Sequence, residues 1–354
     1  MNTLLDLEQL SKYAGQRLDW IQAGGGNTSI KLKESMFVKA SGWSLSEVTS
    51  KQGFVEIKYE EIRHFLKTAN LNTLTKEQKE EAGKACLANA ALSPGAPSIE
   101  TYLHASLGPV VLHTHPWVVT AIACRPDWEN LIDNILPFPC VKVPYYTPGI
   151  ELGIALSEKC ALFEAQHNRK PSCIILQNHG LIISGHTVEE VLAETEQVSD
   201  TLAHYLATNI SQYKASGPIQ KSWYELTQNL MTVYWVQHPV VQEALTDFPH
   251  RLASPVMFPD QVVFGGFSCV KLDTPDNLQP VINYQKKYGI WPRLISYNAA
   301  VYAIAPTLKK AKEIEDVLVC HLMTLSLGGS LQPLPKEELT YLVHWEAEKL
   351  RQNL

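Results

Sequence analysis

Residues 173–185, CIILQNHGLIISG, consist of two apolar runs on either side of the polar turn NHG. This pattern predicts a strand, a tight turn and a second strand. The next segment, TVEEVLAETEQVSDTLAHYLA, has the spacing of an amphipathic helix that begins after a Thr187 cap. The same order of elements fits the chain 120 positions later, where Asn178 falls on Asn298, Thr187 on Thr307 and Leu202 on Leu322. We therefore predict an α/β protein with a partial internal repeat.

The second copy of this repeat differs from the first at the turn. His179 falls on Ala299 and Gly180 falls on Ala300 when the two copies are aligned. An alanine cannot bind a metal or transfer a proton. We therefore expect the C-terminal third to serve packing or assembly instead of forming a second active site.

The composition favours a soluble globular protein. The chain has 354 residues, 45% hydrophobic and 19% charged, with a net charge of −6. This charge argues against bulk attraction to nucleic acid or to an anionic membrane, although a local basic pocket remains compatible with it. We find no apolar run of about 18 residues and no signal-peptide pattern, and we expect a cytoplasmic protein.

The seven cysteines are far apart, odd in number and never arranged as C-x-x-C. Such spacing argues against a disulfide framework and against a cysteine-ligated zinc site. It is consistent with a reducing compartment.

A pause in the hydrophobic pattern at SGPIQKS, residues 216–222, predicts a division of the chain. We expect one domain over residues 1–218 and a second, smaller α/β unit over 219–354. In the second unit we predict a helix containing VYWVQHP and a strand near QVVFGGFSCVKL.

His113 and His115 follow a run of aliphatic residues in VLHTHP. Side chains alternate along a strand, so both imidazoles point to one side and can bind one metal ion. Hydrogen-bonded core histidines give the same H-x-H pattern, and further ligands are needed to decide between the two.

Two more motifs, SIETYLH and NHG, place polar residues next to apolar segments. In SIETYLH, Ser98 is a predicted N-cap, and Glu100 and His104 are four residues apart on one helix face. In NHG, His179 follows Asn178, although such a turn also occurs simply because Asn tolerates a left-handed backbone. Three imidazoles with a nearby carboxylate are typical of a catalytic zinc site.

These motifs, in this order, resemble the class II aldolase/adducin family over about residues 5–210. The resemblance implies a three-layer α/β/α domain on a mainly antiparallel sheet, and a homo-oligomer, commonly a tetramer. It implies that His113, His115 and His179 bind Zn²⁺ or another divalent transition metal, and that Glu100 is the catalytic acid/base. His104 matches a histidine of the motif whose role is either catalytic or structural.

The segment GGGNTS lacks the spacing of a dinucleotide-binding or Walker motif. In the family, G-N-x-S and a later S-G bind phosphate through backbone N–H groups and short polar side chains. The resemblance assigns this role to Gly26, Asn27, Ser29, Ser41, Gly42 and Ser98. Lys39 is a predicted cation for the same pocket, with an exposed strand lysine as the alternative. Ile99 replaces a hydroxyl residue of the family's pattern, which leaves open whether the substrate is phosphorylated.

Tyr145 and Gly149 in Y-x-x-x-G resemble the loop that carries a catalytic tyrosine in fuculose-phosphate aldolase. The motifs VKASG and APSIET resemble most closely the aldolase part of rhamnulose-phosphate aldolase/dehydrogenase fusions. The resemblance thus implies a lyase that cleaves a ketose, such as a 6-deoxyketose 1-phosphate, to dihydroxyacetone phosphate and an aldehyde through a metal-stabilised enediolate. Alternatives are an epimerase, dehydratase or decarboxylase on a related sugar phosphate or sugar acid, and a non-catalytic adducin-like scaffold.

Overall fold

The computed structural model of the protein describes residues 3–68, 71, 73–327 and 329–344. The chain divides into two compact units, Met1–Ile210 and Ser211–Leu354. The division expected at 218/219 lies within a helix, Ser211–Thr227, that includes Pro218. Ala215, Ile219 and Trp223 recur every four residues in this helix and pack in the core of the second unit. Their burial keeps the segment helical although it contains Gly and Pro.

The first unit alternates helices with seven strands. Its helices are α1 (Leu4–Gly15), α2 (Tyr59–Thr68), α3 (Lys76–Ala90), α4 (Thr101–Ala105), α5 (Trp117–Ala123), α6 (Trp128–Ile135), α7 (Ile150–His167) and α8 (Val188–Tyr205). Its strands are β1 (Asn27–Leu32), β2 (Ser35–Lys39), β3 (Phe54–Ile57), β4 (Val110–Thr114), β5 (Val141–Val143), β6 (Cys173–Leu176) and β7 (Gly180–Gly185).

These strands form one sheet in the order β3-β2-β1-β4-β7-β6-β5. All neighbours are antiparallel except β5 and β6, which are parallel. The register places His113 of β4 between Asn27 of β1 and Ile182 of β7. Residues that face each other in this way point to the same side of the sheet. The mainly antiparallel sheet predicted from the resemblance is confirmed.

Helices cover both faces of this sheet. Two successive residues of β1 show this: Thr28 forms a hydrogen bond with Ser11 of α1, while Ser29 forms one with His104 of α4. Because successive strand residues point to opposite faces, α1 and α4 lie on opposite sides of the sheet. Helices α2, α3 and α7 contact one another or α4, and α8 contacts α1, so the unit has the three predicted layers.

The second unit contains α9 (Ser211–Thr227), β8 (Thr232–Val236), α10 (Pro239–Asp247), β9 (Val270–Lys271), α11 (Gln279–Tyr288), β10 (Leu294–Tyr297), β11 (Ala300–Ala305), α12 (Leu308–Leu327) and α13 (Lys336–His344). Its sheet has the order β8-β11-β10-β9, with β10 and β9 parallel and the other pairs antiparallel. This is the arrangement of β4-β7-β6-β5 in the first unit. Strand β11 begins and ends 120 residues after β7, in agreement with the repeat predicted from the sequence.

Of two predictions for the second unit, the helix over VYWVQHP was wrong and the strand near QVVFGGFSCVKL is confirmed. VYWVQHP lies mostly in strand β8, and a helix begins only at Pro239, with His238 as its N-cap. The β-branched and aromatic residues of β8 pair with β11, and this pairing satisfies their backbone groups as a strand. QVVFGGFSCVKL contributes the two-residue strand β9 after a π-helical turn at Gln261–Gly265. None of the described helices is long and apolar enough to cross a membrane.

Helix α1 ends at Gly15. At Gly15 the helix crosses the 3₁₀ turn Leu45–Glu47 so closely that an added Cβ would lie 2.4 Å from the backbone nitrogen of Ser46. An added Cβ on Gly26 would in turn meet Leu45. The contact at Gly15 therefore holds the turn Leu45–Glu47 in place next to Gly26 of the glycine-rich loop.

Gly15→Ala is expected to lower the free energy of unfolding by about 1–3 kcal/mol, because the backbone of the 3₁₀ turn must move. Gly24→Ala is the matched control, since nothing lies within 4 Å of its added Cβ. Urea denaturation of both variants and the wild type measures the difference. Equal stability of the two variants would show that the close approach at Gly15 is not required.

Candidate metal centre

Three histidines meet at one end of strands β4 and β7. The Nε2 atom of His113 lies 3.0 Å from Nε2 of His115 and 3.3 Å from Nε2 of His179. His115 follows β4 directly, and His179 lies in the turn between β6 and β7. Asn178 takes a left-handed conformation there, with φ of 55°, as expected for asparagine in a tight turn. The H-x-H and NHG motifs therefore form one cluster.

The backbone around the cluster fixes the orientation of two of the rings. His113 Nδ1 lies 3.0 Å from the carbonyl oxygen of Leu181, a geometry in which Nδ1 carries the hydrogen and donates it. Its Nε2 faces the other histidines and Glu100, and the negative charge of Glu100 raises the pKa of His113 in spite of burial. The backbone N–H of His115 donates to the carbonyl oxygen of Trp20 at 2.8 Å. Burial lowers the pKa of His115 to about 3, so this ring is neutral at physiological pH.

Glu100 completes the cluster. Its Oε1 lies 3.3 Å from His113 Nε2 and 3.4 Å from His179 Nε2. Burial raises the pKa of this carboxyl, but the adjacent His113 and His179 more than offset the effect, and the pKa is well below its usual value. Glu100 is therefore an anion that faces two imidazoles.

The chemistry of this donor set fits a divalent metal ion. Three imidazole nitrogens and one carboxylate oxygen lie within 4.8 Å of one another. Acceptor atoms this close repel one another unless a proton or a cation lies between them. Tetrahedral zinc with Zn–N bonds of about 2.0–2.1 Å separates its ligand atoms by about 3.3 Å. The observed nitrogen–nitrogen distances of 3.0 and 3.3 Å agree with that spacing.

Ser98 does not cap the helix that carries Glu100. Helix α4 begins at Thr101, with Glu100 itself at the N-cap position. The Ser98 hydroxyl instead accepts a hydrogen bond from the backbone N–H of Glu100, and its carbonyl oxygen accepts from Thr101. Ser98 thus stabilises the turn that directs the carboxylate toward the histidines.

His104 lies one turn further along α4 and is fully buried. Its Nδ1 is 2.8 Å from the Ser29 hydroxyl, and its Nε2 has no hydrogen-bond partner among the described residues. Burial lowers the pKa of His104 to about 3, so the ring is neutral. Ser29, predicted to contact phosphate, is fully buried and uses its hydroxyl to hold His104.

Glycines leave the space that the histidines need. An added Cβ on Gly25 would lie 2.9 Å from His115 Nδ1, and one on Gly180 would lie 2.9 Å from His115 Cδ2. An added Cβ on Gly26 would lie 2.9 Å from the carbonyl oxygen of His113, and its φ of 77° favours glycine. The glycine-rich segment therefore packs directly against the metal histidines in addition to any contact with substrate.

Two of the predicted anion-binding residues, Asn27 and Lys39, are buried. Asn27 pairs with His113 across the sheet, and neither its amide nitrogen nor its amide oxygen has a hydrogen-bond partner in the described part of the chain. The Lys39 side chain is buried, in contrast to the exposed alternative, and its Nζ donates to the carbonyl oxygen of Trp43. Burial lowers the pKa of Lys39, and the negative charge of Glu100 opposes this shift.

Ser41 and Gly42 lie at the surface directly after β2. Backbone contacts join this segment to the one before Glu100: Ala40 forms a β-bridge with Pro97, and Ser41 N–H donates to Ala96. The structure thus places Ser41 and Gly42 near Ser98. Gly42 has a φ of 83°, which accounts for a glycine at this turn.

Tyr145 is more than half exposed, and its backbone N–H donates to the side chain of Gln177 at 3.0 Å. Gln177 lies two residues before His179, so this bond ties the tyrosine loop to the turn that carries the third histidine. The phenol itself forms no described contact with the cluster.

A buried ion-pair network behind His115 was not predicted from the sequence. Arg17 is fully buried, forms two hydrogen bonds with Asp19 and a further ion pair with Glu196 of α8, and lies over the Trp20 ring. The carbonyl oxygens of Asp19 and Trp20 accept the N–H groups of Trp117 and His115. The segment QRLDW has no recurrent motif, and the pairing with Glu196, 179 residues away, exists only in the folded chain.

A family model described as Class II Aldolase and Adducin N-terminal domain matches residues 7–206. The chain is a member of the class II aldolase and adducin family. The resemblance inferred from the motifs over about residues 5–210 is therefore confirmed. Glu100, His113, His115 and His179 all lie within the region matched by the class II aldolase model.

One curated relative matches part of this class II aldolase family member. A Bacillus subtilis (strain 168) protein named "Uncharacterized oxidoreductase YuxG" is 29% identical over 204 residues, which are 55% of this chain and 28% of that protein. The chain thus matches less than a third of that relative.

Solved structures also match the first unit. The N-terminal class II aldolase domain of a Thermoplasma acidophilum protein is 26% identical, with a TM-score of 0.48, over 57% of this chain and 92% of that one. L-fuculose-1-phosphate aldolase from Thermus thermophilus is 17% identical, with a TM-score of 0.37, over 57% of this chain and 94% of that one.

The cluster predicts about one divalent metal ion per chain, lost in His113→Ala because one of the three imidazole ligands is removed. Metal content after incubation with zinc and desalting, measured by plasma mass spectrometry, tests this. The matched control is His64→Ala, an exposed histidine on α2 outside the cluster. Absence of bound metal from the wild type, or unchanged metal in His113→Ala, would show that these are core histidines.

Proposed function

We propose that this protein is a metal-dependent aldolase that cleaves a ketose 1-phosphate to dihydroxyacetone phosphate and an aldehyde. The observation that carries the proposal is the cluster of Glu100 with His113, His115 and His179, whose ligating atoms lie within 4.8 Å of one another. This set combines a metal-binding triad with a carboxylate that can transfer a proton, inside a member of the class II aldolase and adducin family.

His113, His115 and His179 would hold the metal ion, as neutral imidazoles that leave it its full positive charge. Once bound, such an ion acts as a Lewis acid that stabilises negative charge on the ketose oxygens as the carbon–carbon bond breaks. Zinc is the ion that best suits three imidazoles, and manganese or cobalt are the alternatives.

Glu100 is assigned the proton transfer at the carbon that keeps the electron pair of the broken bond. Its carboxylate is ionised in this site and is fixed at the start of α4 by the Ser98 turn. In the direction of synthesis it accepts the proton from that carbon, and in the direction of cleavage it returns it.

The phosphate end is assigned to polar groups of the GGGNTS and VKASG segments. Asn27 offers an unpaired amide, Lys39 offers a buried cation, and the turn at Ser41 and Gly42 offers hydroxyl and backbone donors. Gly26 and Ser98 shape the backbone on either side, and Ser29 supports the pocket through His104. A phosphate group suits this set because it accepts many short hydrogen bonds.

Tyr145 is assigned the proton at the aldehyde oxygen. Its loop is tied to Gln177, next to the NHG turn, and its exposed phenol is free to reach over the site. An exposed position is consistent with a group that engages only when substrate is bound.

The relative named as an oxidoreductase does not carry an oxidoreductase assignment to this chain, because the match covers 28% of that protein. The adducin-like scaffold is disfavoured because all three histidines and the carboxylate are present and converge. Epimerase, dehydratase and decarboxylase activities use the same metal chemistry. A panel of ketose 1-phosphates, pentulose 5-phosphates and sugar acids, analysed for products by mass spectrometry, distinguishes them from the aldolase.

Glu100→Gln is expected to retain the metal and to lower kcat at least about 100-fold, because the amide cannot transfer the proton. The measurement pairs metal content with turnover of the substrate found in the panel. Glu158→Gln, an exposed position on α7, is the matched control and should behave as the wild type. Normal turnover in Glu100→Gln would exclude the assigned role.

Tyr145→Phe is expected to lower kcat by about 10²-fold with little change in KM, because only the phenolic proton is lost. Tyr146→Phe is the matched control, since Tyr146 is an adjacent exposed tyrosine. Steady-state kinetics of the two variants decide the assignment. If both variants match the wild type, the proton at the aldehyde oxygen comes from another group.

A further inference from the structure

A second cleft lies at the opposite end of β1, β4 and β7 from the metal centre. Its volume is about 800 Å³. The register defines its position: Asn27 pairs with His113 at one end of β1, while Lys31 at the other end donates its N–H to Pro109, just before β4. The two sites are separated by about four residues of strand, roughly 13 Å.

Positively charged side chains dominate this cleft, although the chain as a whole has a net charge of −6. They come from the end of β1, from α2 and from the segment between α7 and β6. The five are Lys31, Lys33, Arg63, Arg169 and Lys170. Tyr59 and the Gly108–Pro109 turn form further parts of the wall.

Two of these cations, Lys170 and Arg63, lie close enough to Lys31 to repel its positive charge. Burial, together with the positive charges of Lys170 and Arg63, lowers the pKa of Lys31 to about 7. Lys31 cannot turn away into solvent, because its Nζ donates to the carbonyl oxygens of Ala105 and Leu107 at 3.0 and 2.6 Å. Like charges held together in this way are stabilised when an anion lies between them.

The carboxylates of the cleft balance only part of this charge. Glu190 accepts hydrogen bonds from the backbone N–H groups of His186 and Thr187, and Glu194 accepts one from the Ser172 hydroxyl. Burial raises the pKa of Glu194, and the positive charge of Arg169 opposes this shift. Within the described part of the chain, Arg63 forms an ion pair with Glu60, and the other four cations form none.

We propose that this basic cleft binds a small molecule with two or more phosphate charges, at a site separate from the metal centre. Its volume lies in the range of pockets for metabolites. Guanidinium and ammonium groups together form the strong charge-assisted hydrogen bonds that phosphate accepts. An extended polyanion fits less well, because Glu190 and Glu194 line one side and the chain is acidic overall. This proposal does not rest on the aldolase assignment.

Isothermal titration of the full chain with inorganic pyrophosphate tests the proposal. One pyrophosphate is expected per chain in the wild type, with at least about tenfold weaker binding when Arg63→Gln and Lys170→Gln are combined. The matched control combines Arg125→Gln and Lys221→Gln, two exposed cations outside the cleft with the same total change in charge. This control should retain the wild-type affinity, and circular dichroism should show all variants folded.

His113→Ala separates the two sites. Pyrophosphate affinity that is unchanged in this variant supports the cleft, whereas its loss would show that pyrophosphate binds at the metal centre and would overturn the proposal. The proposal also fails if the wild type does not bind pyrophosphate, or if the control variant weakens as much as the cleft variant. Binding of a single-stranded oligonucleotide that requires Arg63 and Lys170, without binding of pyrophosphate, would likewise overturn it.

Discussion

The first unit depends on one constraint. Three imidazoles and a carboxylate are held close together at one end of the central strands β4 and β7. The imidazole nitrogens of His113, His115 and His179 approach to 3.0–3.3 Å, with the Glu100 carboxylate at 3.3–3.4 Å. Such an arrangement is costly without a cation, so the surrounding structure must enforce it. It does so through the β4–β7 register, the tight turn at Asn178 and the hydrogen bond from His113 to Leu181.

Close packing supports this arrangement from behind. An added Cβ on Gly25 or on Gly180 would lie 2.9 Å from the His115 ring, so a larger residue at either position would collide with it. The buried Arg17 network holds the carbonyl oxygens that fix the backbone at His115 and Trp117. Glycines that resemble a phosphate loop in the sequence therefore have a second role, which is to make room for the metal ligands.

The second unit has the same sheet arrangement as part of the first, without the three histidines. It repeats the order and direction of strands β4, β7, β6 and β5, and it retains a His-Pro pair, His238 and Pro239, before its helix α10. Val236 ends β8, and Ala299 occupies the turn where the first unit has His179. This sheet arrangement therefore forms without the three histidines, because hydrophobic burial and strand pairing suffice to form it.

The sequence alone determined the residue types and their local placement. Alternation along β4 put His113 and His115 on one side, the NHG turn presented His179, and the 120-residue offset predicted the repeat, because strand and turn preferences act over a few neighbouring residues. Only the tertiary structure decided the rest. Strand pairing converted the VYWVQHP segment from the expected helix to a strand, and packing kept α9 helical through Pro218. Contacts between residues far apart in the chain buried Lys39, turned Ser29 toward His104 and joined Arg17 to Glu196. They also placed five cations in one cleft. Such contacts leave no local pattern in a single sequence.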